Sequence, residues 1–285
     1  MDLKLLDAAK DSRVLFMGEE ITDVYHYGRL LARPVKEPIV AIQKEGWEEY
    51  EGGITAAAKH AESFCKLVGV ASDRNIKKER FVSSGHYRKL FEVYAETVTW
   101  DEQPIVPDAF DITAVIDYGH GMMTDALIAK VCNEAQFLAV NVQTNAGNYG
   151  FNLATKYPRA DYLCMDELEA RLATQNQDGL IADSIGELAD MFSGSKIIIT
   201  LGKDGAIGWD DESGLCQCNA FTDRVVDTMG AGDAFFAVTA VLAPFLSLPD
   251  LLRIGNAAGA LKAQILGHQR AITKDELSEY LRNHS

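Results

Sequence analysis

Nowhere is this chain apolar for long enough to cross a bilayer. Its longest such run, Ala234 to Leu242, falls short of the roughly 20 residues a helical span needs, and Pro244 follows closely. Met1-Asp2-Leu3-Lys4 has no apolar stretch behind it, so no secretory leader is expected. Cationic side chains are scarce, 27 Lys and Arg against 42 Asp and Glu, for a formal net charge of −15. Such a chain repels phosphate backbones, which argues against nucleic-acid partners and confines anion binding to a local site. The five cysteines (Cys65, Cys132, Cys164, Cys216, Cys218) are odd in number and sit in apolar surroundings. Reduced thiols in a cytoplasm are therefore expected instead of a disulfide framework. Cys216 and Cys218 form the only close pair. Without a second pair or a histidine at ligand spacing, they read as two residues on one face of a strand, not as a zinc site. Internal repeats, low-complexity linkers and a second-domain break are also missing. At 285 residues, 47% hydrophobic, the chain suffices for one large α/β core.

What is present converges on Asp227-Thr228-Met229-Gly230-Ala231-Gly232-Asp233. Val225-Val226 before it reads as strand-like. Ala234 to Leu242 after it is apolar on every face and reads as a buried helix. Two glycines at a strand-to-helix turn let an anion approach the backbone. The first-turn amides of a helix lack internal partners and carry partial positive charge. Gly230, Ala231 and Gly232 thus read as donors for a phosphate. Asp233 stands at the mouth of that site, placed to take a proton from an attacking hydroxyl. The plainer reading is a helix start capped by Asp227 or Thr228.

Asp-Thr-x-Gly-Ala-Gly-Asp resembles the signature of the ribokinase/PfkB-type carbohydrate kinases. That resemblance implies a ribokinase-like α/β three-layer sandwich with a central, mostly parallel sheet and a small β lid. It implies one kinase domain over 1-285, with lid segments at about 29-50 and 78-100. It also implies ATP and Mg2+ as cofactors, Asp233 as catalytic base, and the Gly230, Ala231 and Gly232 amides as an anion hole.

Other segments are read in the same two ways. Arg13 to Gly18 is a buried strand, and Glu19 to Asp23 forms the turn at its C-terminal end, where open α/β sheets place ligands. The resemblance assigns Asp23 to sugar hydroxyls; an exposed loop acid is the plainer reading. Gly18-Glu19 and Asp23-Val24-Tyr25-His26-Tyr27-Gly28 are similar to the start of the heptose-phosphate kinase (ADP-heptose synthesis) branch. The segment holding Pro34 and Pro38 alternates like strands. Gly52 and Gly53 open a helix and would let a ligand near the backbone, but Ala56 stands where the family has a sugar-binding Asn. Val115 to Thr124 is a strand entering a glycine-rich turn, with Asp117 at the strand end, where the resemblance implies a substrate contact, Thr124 as helix cap, and His120 in place of the family's Lys. Asn141-Val142-Gln143 replaces the usual Asp-Pro-Lys, and the amides beyond it are turn chemistry or groove lining.

Asp166 and Glu169, three apart on one helical face, are either magnesium-associated or acids placed for the helix dipole. Lys196 to Ala206 is a buried strand ending in a hairpin. By resemblance Thr200, Gly202, Gly205 and Thr228 border the ATP, and Asn256, on a small-residue helix, lies near the adenine. Thr273 caps the final helix. The function implied is ATP-dependent phosphorylation of a sugar or sugar phosphate, with a homodimer formed through the lid. The alternatives are a nucleotide- or sugar-binding pseudokinase and a nucleoside kinase of the same fold. No His-x-Gly-His motif occurs, so any nucleotidyltransferase activity would come from a separate partner chain.

Overall fold

The computed structural model describes residues 3–32, 36–85, 88–98, 106–221 and 224–284; Pro34 and parts of both expected lid segments lie outside them. Strands β1 (Arg13–Gly18), β4 (Leu67–Ala71), β7 (Ile112–Asp117), β8 (Leu138–Val142), β9 (Tyr162–Asp166) and β10 (Lys196–Thr200) pair in parallel in the order β4-β1-β7-β8-β9-β10. β11 (Ala206–Asp210) and β12 (Gly214–Cys218) extend that sheet antiparallel. Alternate strand residues feed opposite faces. Val14, Phe16, Ile112 and Ile116 pack under α1 (Gly53–Ala61), α5 (Ala231–Leu242), α6 (Leu248–Lys262) and α7 (Lys274–Asn283). Leu15, Met17, Val115 and Val140 pack under α2 (Asp125–Glu134), α3 (Glu167–Thr174) and α4 (Ile181–Met191). A sheet covered on both faces explains why its strands read as continuous apolar runs.

Helix α5 is the most enclosed element. All residues from Ala234 to Leu242 are buried, as their uniformly apolar character requires. Phe236 stacks on Tyr162 of β9 with ring centroids 6.0 Å apart, and the Tyr162 and Thr239 hydroxyls meet at 2.7 Å. Truncating such a ring costs about 3–5 kcal/mol, so the N-terminus of α5 is held by the core. No helix among the described residues is long and apolar enough to cross a membrane. All five cysteines are free, and Cys216 and Cys218 share one face of β12.

A second sheet has the order β3-β2-β5-β6, from β2 (Glu20–Leu30), β3 (Ile42–Gly52), β5 (Arg74–Ser83) and β6 (Arg88–Val98). It starts at Glu20, well before residue 29. The expected turn from Glu19 to Asp23 is thus a strand, and Asp23 belongs to the lid. The acids suggested a loop, but Ile21, Val24, Tyr25 and Tyr27 are β-formers, and they prevail. Val225 and Val226 depart from expectation too: both are exposed loop residues, anchored by the Val226 amide donating to the Ala263 carbonyl at 2.8 Å.

The glycine pair at the β3–α1 junction accommodates close approach by the protein itself. Gly53 has φ +58°, and a Cβ there would lie 2.5 Å from the Glu19 carbonyl oxygen; one on Gly52 would lie 2.4 Å from Asp23 Oδ2. Gly53→Ala is expected to destabilise by about 1–3 kcal/mol in urea unfolding. Gly46→Ala, with nothing within 4 Å of its Cβ, is the neutral control.

Candidate active site

The parallel strands end along one edge. Gly18 lies beside Ile116, Asp117 beside Val142 and Asp166 beside Thr200, and the lid rises from that edge after Glu19. Open α/β sheets bind ligands here.

The signature loop enters α5 through Gly230, whose φ of +72° is left-handed. No side chain caps the helix, so neither Asp227 nor Thr228 plays that part. Asp227 instead ties two loops together: Oδ1 accepts from the Met229 amide at 3.1 Å and Oδ2 from the Gly267 amide at 3.0 Å. The fully buried Lys262 reinforces this, donating to the Met229 and Gly267 carbonyls at 2.6 and 2.8 Å. Burial draws its ammonium below the usual lysine range, against the pull of Asp227 and Asp233. The Ala231 amide is spent on the Thr228 carbonyl at 3.1 Å. The Gly232 and Asp233 amides, in the first turn, have no intrahelical acceptor.

Asp233 Oδ1 accepts from Gln143 Nε2 at 2.7 Å. Gln143 also donates to Asn141 Oδ1 at 3.1 Å, and Asn141 Nδ2 to the Cys164 carbonyl at 2.8 Å. A chain of amides from β8 therefore aims the acid. Burial raises the Asp233 carboxyl above its ordinary range, while His268, the Gln143 hydrogen bond, Lys78 and Lys262 oppose that rise.

The lid supplies the opposite wall. Asp23, 2% exposed, pairs with Arg80 Nη1 and lies 3.3 Å from His268 Nε2. Burial alone would push its carboxyl up, but His268 and Arg80 outweigh burial and leave it below the usual range. Tyr25 donates to Met229 Sδ at 2.6 Å, joining lid to signature loop. Ala56 and His268 share a cavity of about 210 Å³ with Tyr50, Lys59 and His60.

Other expected residues are occupied with the fold. Asp117 is buried and satisfied by the Gly119 amide (3.0 Å), Tyr157 OH (2.8 Å), Asn152 Nδ2 (3.2 Å) and Lys156 Nζ (2.5 Å), which leaves little for a sugar. Asp166 and Glu169 form a reciprocal capping box, and Glu169 Oε1 also accepts from the Thr144 amide at 3.0 Å. Burial, then Asp166, pushes the Glu169 carboxyl up to about 8. Asn256 donates to the Cys218 carbonyl at 3.1 Å, and the Thr200 hydroxyl to the Met165 carbonyl at 3.4 Å. Gly202 and Gly205 form the β10–β11 connection, and Thr228 is exposed in the signature loop. Thr124 and Thr273 cap α2 and α7 as expected.

Sequence reasoning gave no role to Lys78, Arg80, Lys262 and His268. A signal existed: Ile76, Lys78, Arg80 and Val82 share the buried face of β5 at period 2, and Lys262 interrupts a small apolar helix.

A family description, "pfkB family carbohydrate kinase", matches residues 123–275, which include the signature loop and Asp233. The chain belongs to that family. It is 31% identical over 152 residues to a ribokinase of Lactococcus lactis subsp. lactis, covering 53% of this chain and 47% of that one. It is 26% identical to the "Bifunctional protein HldE" of Nitrobacter hamburgensis, covering 90% of this chain and 61% of the relative. The chain thus spans less than two thirds of the length of the curated relatives it matches. In fold it is similar to Arabidopsis thaliana ribokinase complexed with ribose and ATP, with TM-score 0.71, 15% identity, and 95% and 99% of the two chains covered. It is also similar to Escherichia coli phosphofructokinase-2 in complex with fructose-6-phosphate, with TM-score 0.72, 12% identity, and 96% and 99% covered.

The raised Asp233 carboxyl has a consequence for stability. The folded state binds this proton more tightly than the unfolded chain, so stability is lost as pH climbs past the ordinary carboxylate value of 3.8. Asp233→Asn removes that loss and keeps an oxygen for Gln143. The variant is expected to melt above the wild type at pH 7, with the gap closing toward pH 4. Thermal melts across that range check it; a variant melting lower at pH 7 contradicts it.

Proposed function

We propose that the chain transfers the terminal phosphoryl group of ATP to a hydroxyl of a sugar or sugar phosphate. The observation that carries this is Asp233 Oδ1 held at 2.7 Å by Gln143, beside first-turn amides of α5 that have no helical acceptor. The acceptor oxygen attacks the terminal phosphorus as its proton passes to Asp233. One O–P bond forms, the bridging P–O bond to ADP breaks, and the Gly232 and Asp233 amides receive the charge that develops on the transferred group. Phosphoryl transfer is mainly positioning and electrostatics, so this inventory suffices. The edge from Asp166 to the β10–β11 connection, with α6 behind it, is proposed as the nucleotide side. Likeness to relatives named for ribokinase and HldE activities supports a carbohydrate acceptor. The free thiols suit a reducing compartment such as the cytoplasm.

Asp166 and Glu169 do not fit a direct magnesium site. Glu169 spends both oxygens on backbone amides, and among the described residues no three His, Cys, Asp or Glu side chains group to hold a metal. No step is assigned to them.

The lid is proposed as the dimer contact. Register places Trp47, His26, Phe81 and Phe91 in one cross-strand row, with His26 stacked on Phe81 at 4.6 Å and Phe81 on Phe91 at 4.4 Å. Trp47 is 57% exposed.

Two outcomes are expected. Asp233→Asn should lower kcat by about 10²–10⁴-fold in an ADP-release assay with Mg2+ while ATP binding persists in calorimetry. Near-normal turnover removes Asp233 as base, and ATP binding by the wild type without transfer to any acceptor favours a binding-only protein. Trp47→Asp should shift sedimentation from dimer to monomer; a wild type already monomeric at micromolar concentration contradicts the lid dimer.

A further inference from the structure

One donor aims the proposed base, and a second polar group lies near it without a partner. Alternation along β7 places Ile116 and Tyr118 on the face covered by α5, the helix whose first turn carries Asp233. Tyr118 is only 3% exposed. Its backbone is tied on both sides. The amide donates to Glu19 Oε2 at 3.1 Å, and the carbonyl accepts from Asn145 Nδ2 at 2.7 Å and Asn148 Nδ2 at 3.1 Å. Asn148 Nδ2 also reaches the Gln143 carbonyl at 3.4 Å, and the Gln143 amide donates to the Asp117 carbonyl at 2.8 Å. The ends of β7 and β8 are thus clamped side by side, with Tyr118 just beyond one and Gln143 just beyond the other. Gln143 holds Asp233 Oδ1. The Tyr118 hydroxyl is buried and, among the described residues, has no hydrogen-bond partner.

A buried hydroxyl left unpaired is costly, so it asks for a state of the site that completes it. The acids around it point to the group that does so. Burial holds its proton on well above the ordinary tyrosine range; of the acids that add to this, Asp233 acts most, then Glu19 and Asp23. Glu19 is spent on three amides, and Asp23 on Arg80 and His268. Asp233 has given Oδ1 to Gln143, and among the described residues no donor reaches its Oδ2. The charged groups that face Asp233 are Lys78 from the lid, Lys262 from α6, His268 from the segment after it and Glu169 from α3. None of them makes a direct ion pair with it.

We propose that the Tyr118 hydroxyl is the second donor to the Asp233 carboxylate, closing its hydrogen bond when the acid ionises, and is thereby a positioning residue for the proposed base. This rests on the kinase reading and deepens it: a phenol from the end of β7 and an amide from the end of β8 grip the acid at its two oxygens. An O–H donor to a carboxylate makes a short, charge-assisted bond, roughly twice as strong as a neutral one. It favours the ionised acid, the form that can take a proton from the acceptor.

Tyr118→Phe removes the hydroxyl and keeps the ring. Turnover of the intact chain with ATP and Mg2+ is followed against pH, on whichever of ribose, fructose, fructose 6-phosphate and 2-dehydro-3-deoxygluconate is consumed fastest. Losing a donor to the ionised form raises the Asp233 carboxyl further. The acid limb of kcat/KM should therefore move up by about one pH unit or more, with the KM for ATP unchanged. A ring-fluorinated tyrosine at position 118, a stronger donor of nearly the same shape, should move the limb down. NMR titration of the Asp233 carboxyl carbon should shift in the same two directions. A limb and a titration that stay in place in both variants, with kcat lowered alike at every pH, overturn the proposal and leave the kinase reading standing. So does a raised KM for the acceptor with neither of them moved, which makes the hydroxyl an acceptor contact instead. If none of the four acceptors is turned over, the kinase reading falls. The hydrogen bond is then judged by the NMR titration, which must shift for it to survive.

Discussion

The carboxylate of Glu19, fully buried, accepts three backbone hydrogen bonds from a single turn: Tyr118 N at 3.1 Å, His120 N at 3.0 Å and Met122 N at 3.2 Å. Its own carbonyl takes the Ile54 amide at 3.1 Å. One residue thereby fixes the end of β1, the root of the lid, the start of α1 and the turn beyond β7. Without it, two buried amides and one part-buried amide would lose their acceptor, each buried one costing about 1–3 kcal/mol. Burial, then the nearby Asp117, raises the Glu19 carboxyl, and the amides pull the other way. The edge that forms the cleft is thus braced by hydrogen bonds within the turn, not by packing alone.

The opposite side is braced by charge. In a chain of net charge −15, Lys78, Arg80, Lys262 and His268 gather around two acids, Asp23 and Asp233. Lys262 and Asp227 grip the signature loop from the helix side, and Tyr25 touches it from the lid. Loop, lid and the segment after α6 are therefore one connected unit. The surrounding acidity would repel an anion, and Lys78, Arg80 and Lys262 offset that repulsion locally.

Legibility followed pattern length. The buried strands β1, β7 and β10 and the helix α5 were visible because burial on every side leaves an uninterrupted apolar run. The lid was less so. Its inner face is polar, and Asp23, expected in a turn as a sugar contact or a loop acid, is buried in a strand, where Arg80, 57 residues away, pairs with it and His268, 245 residues away, lies 3.3 Å from it. Distance in sequence hides such pairs. Asp117 is the reverse case. Its place at a strand end is as expected, but Asn152, Lys156 and Tyr157 from the following loop occupy its oxygens. Asp166 and Glu169, expected either near magnesium or as acids of a helix start, form a capping box, which their spacing allowed.

The proposed base shows how the lid bears on the proposed chemistry. Asp233 lies where burial favours its neutral form, yet the proposed role requires it ionised. Among the groups that favour ionisation, Gln143 belongs to the edge of the main sheet and Lys262 to α6. Lys78 is carried by the lid, and His268 is held against lid residue Asp23. Two of these groups therefore stand on or against the small sheet over the cleft. In this arrangement the lid brings the Lys78 ammonium to bear on the Asp233 carboxyl. The protonation of Asp233 is in this way tied to one face of one four-stranded sheet.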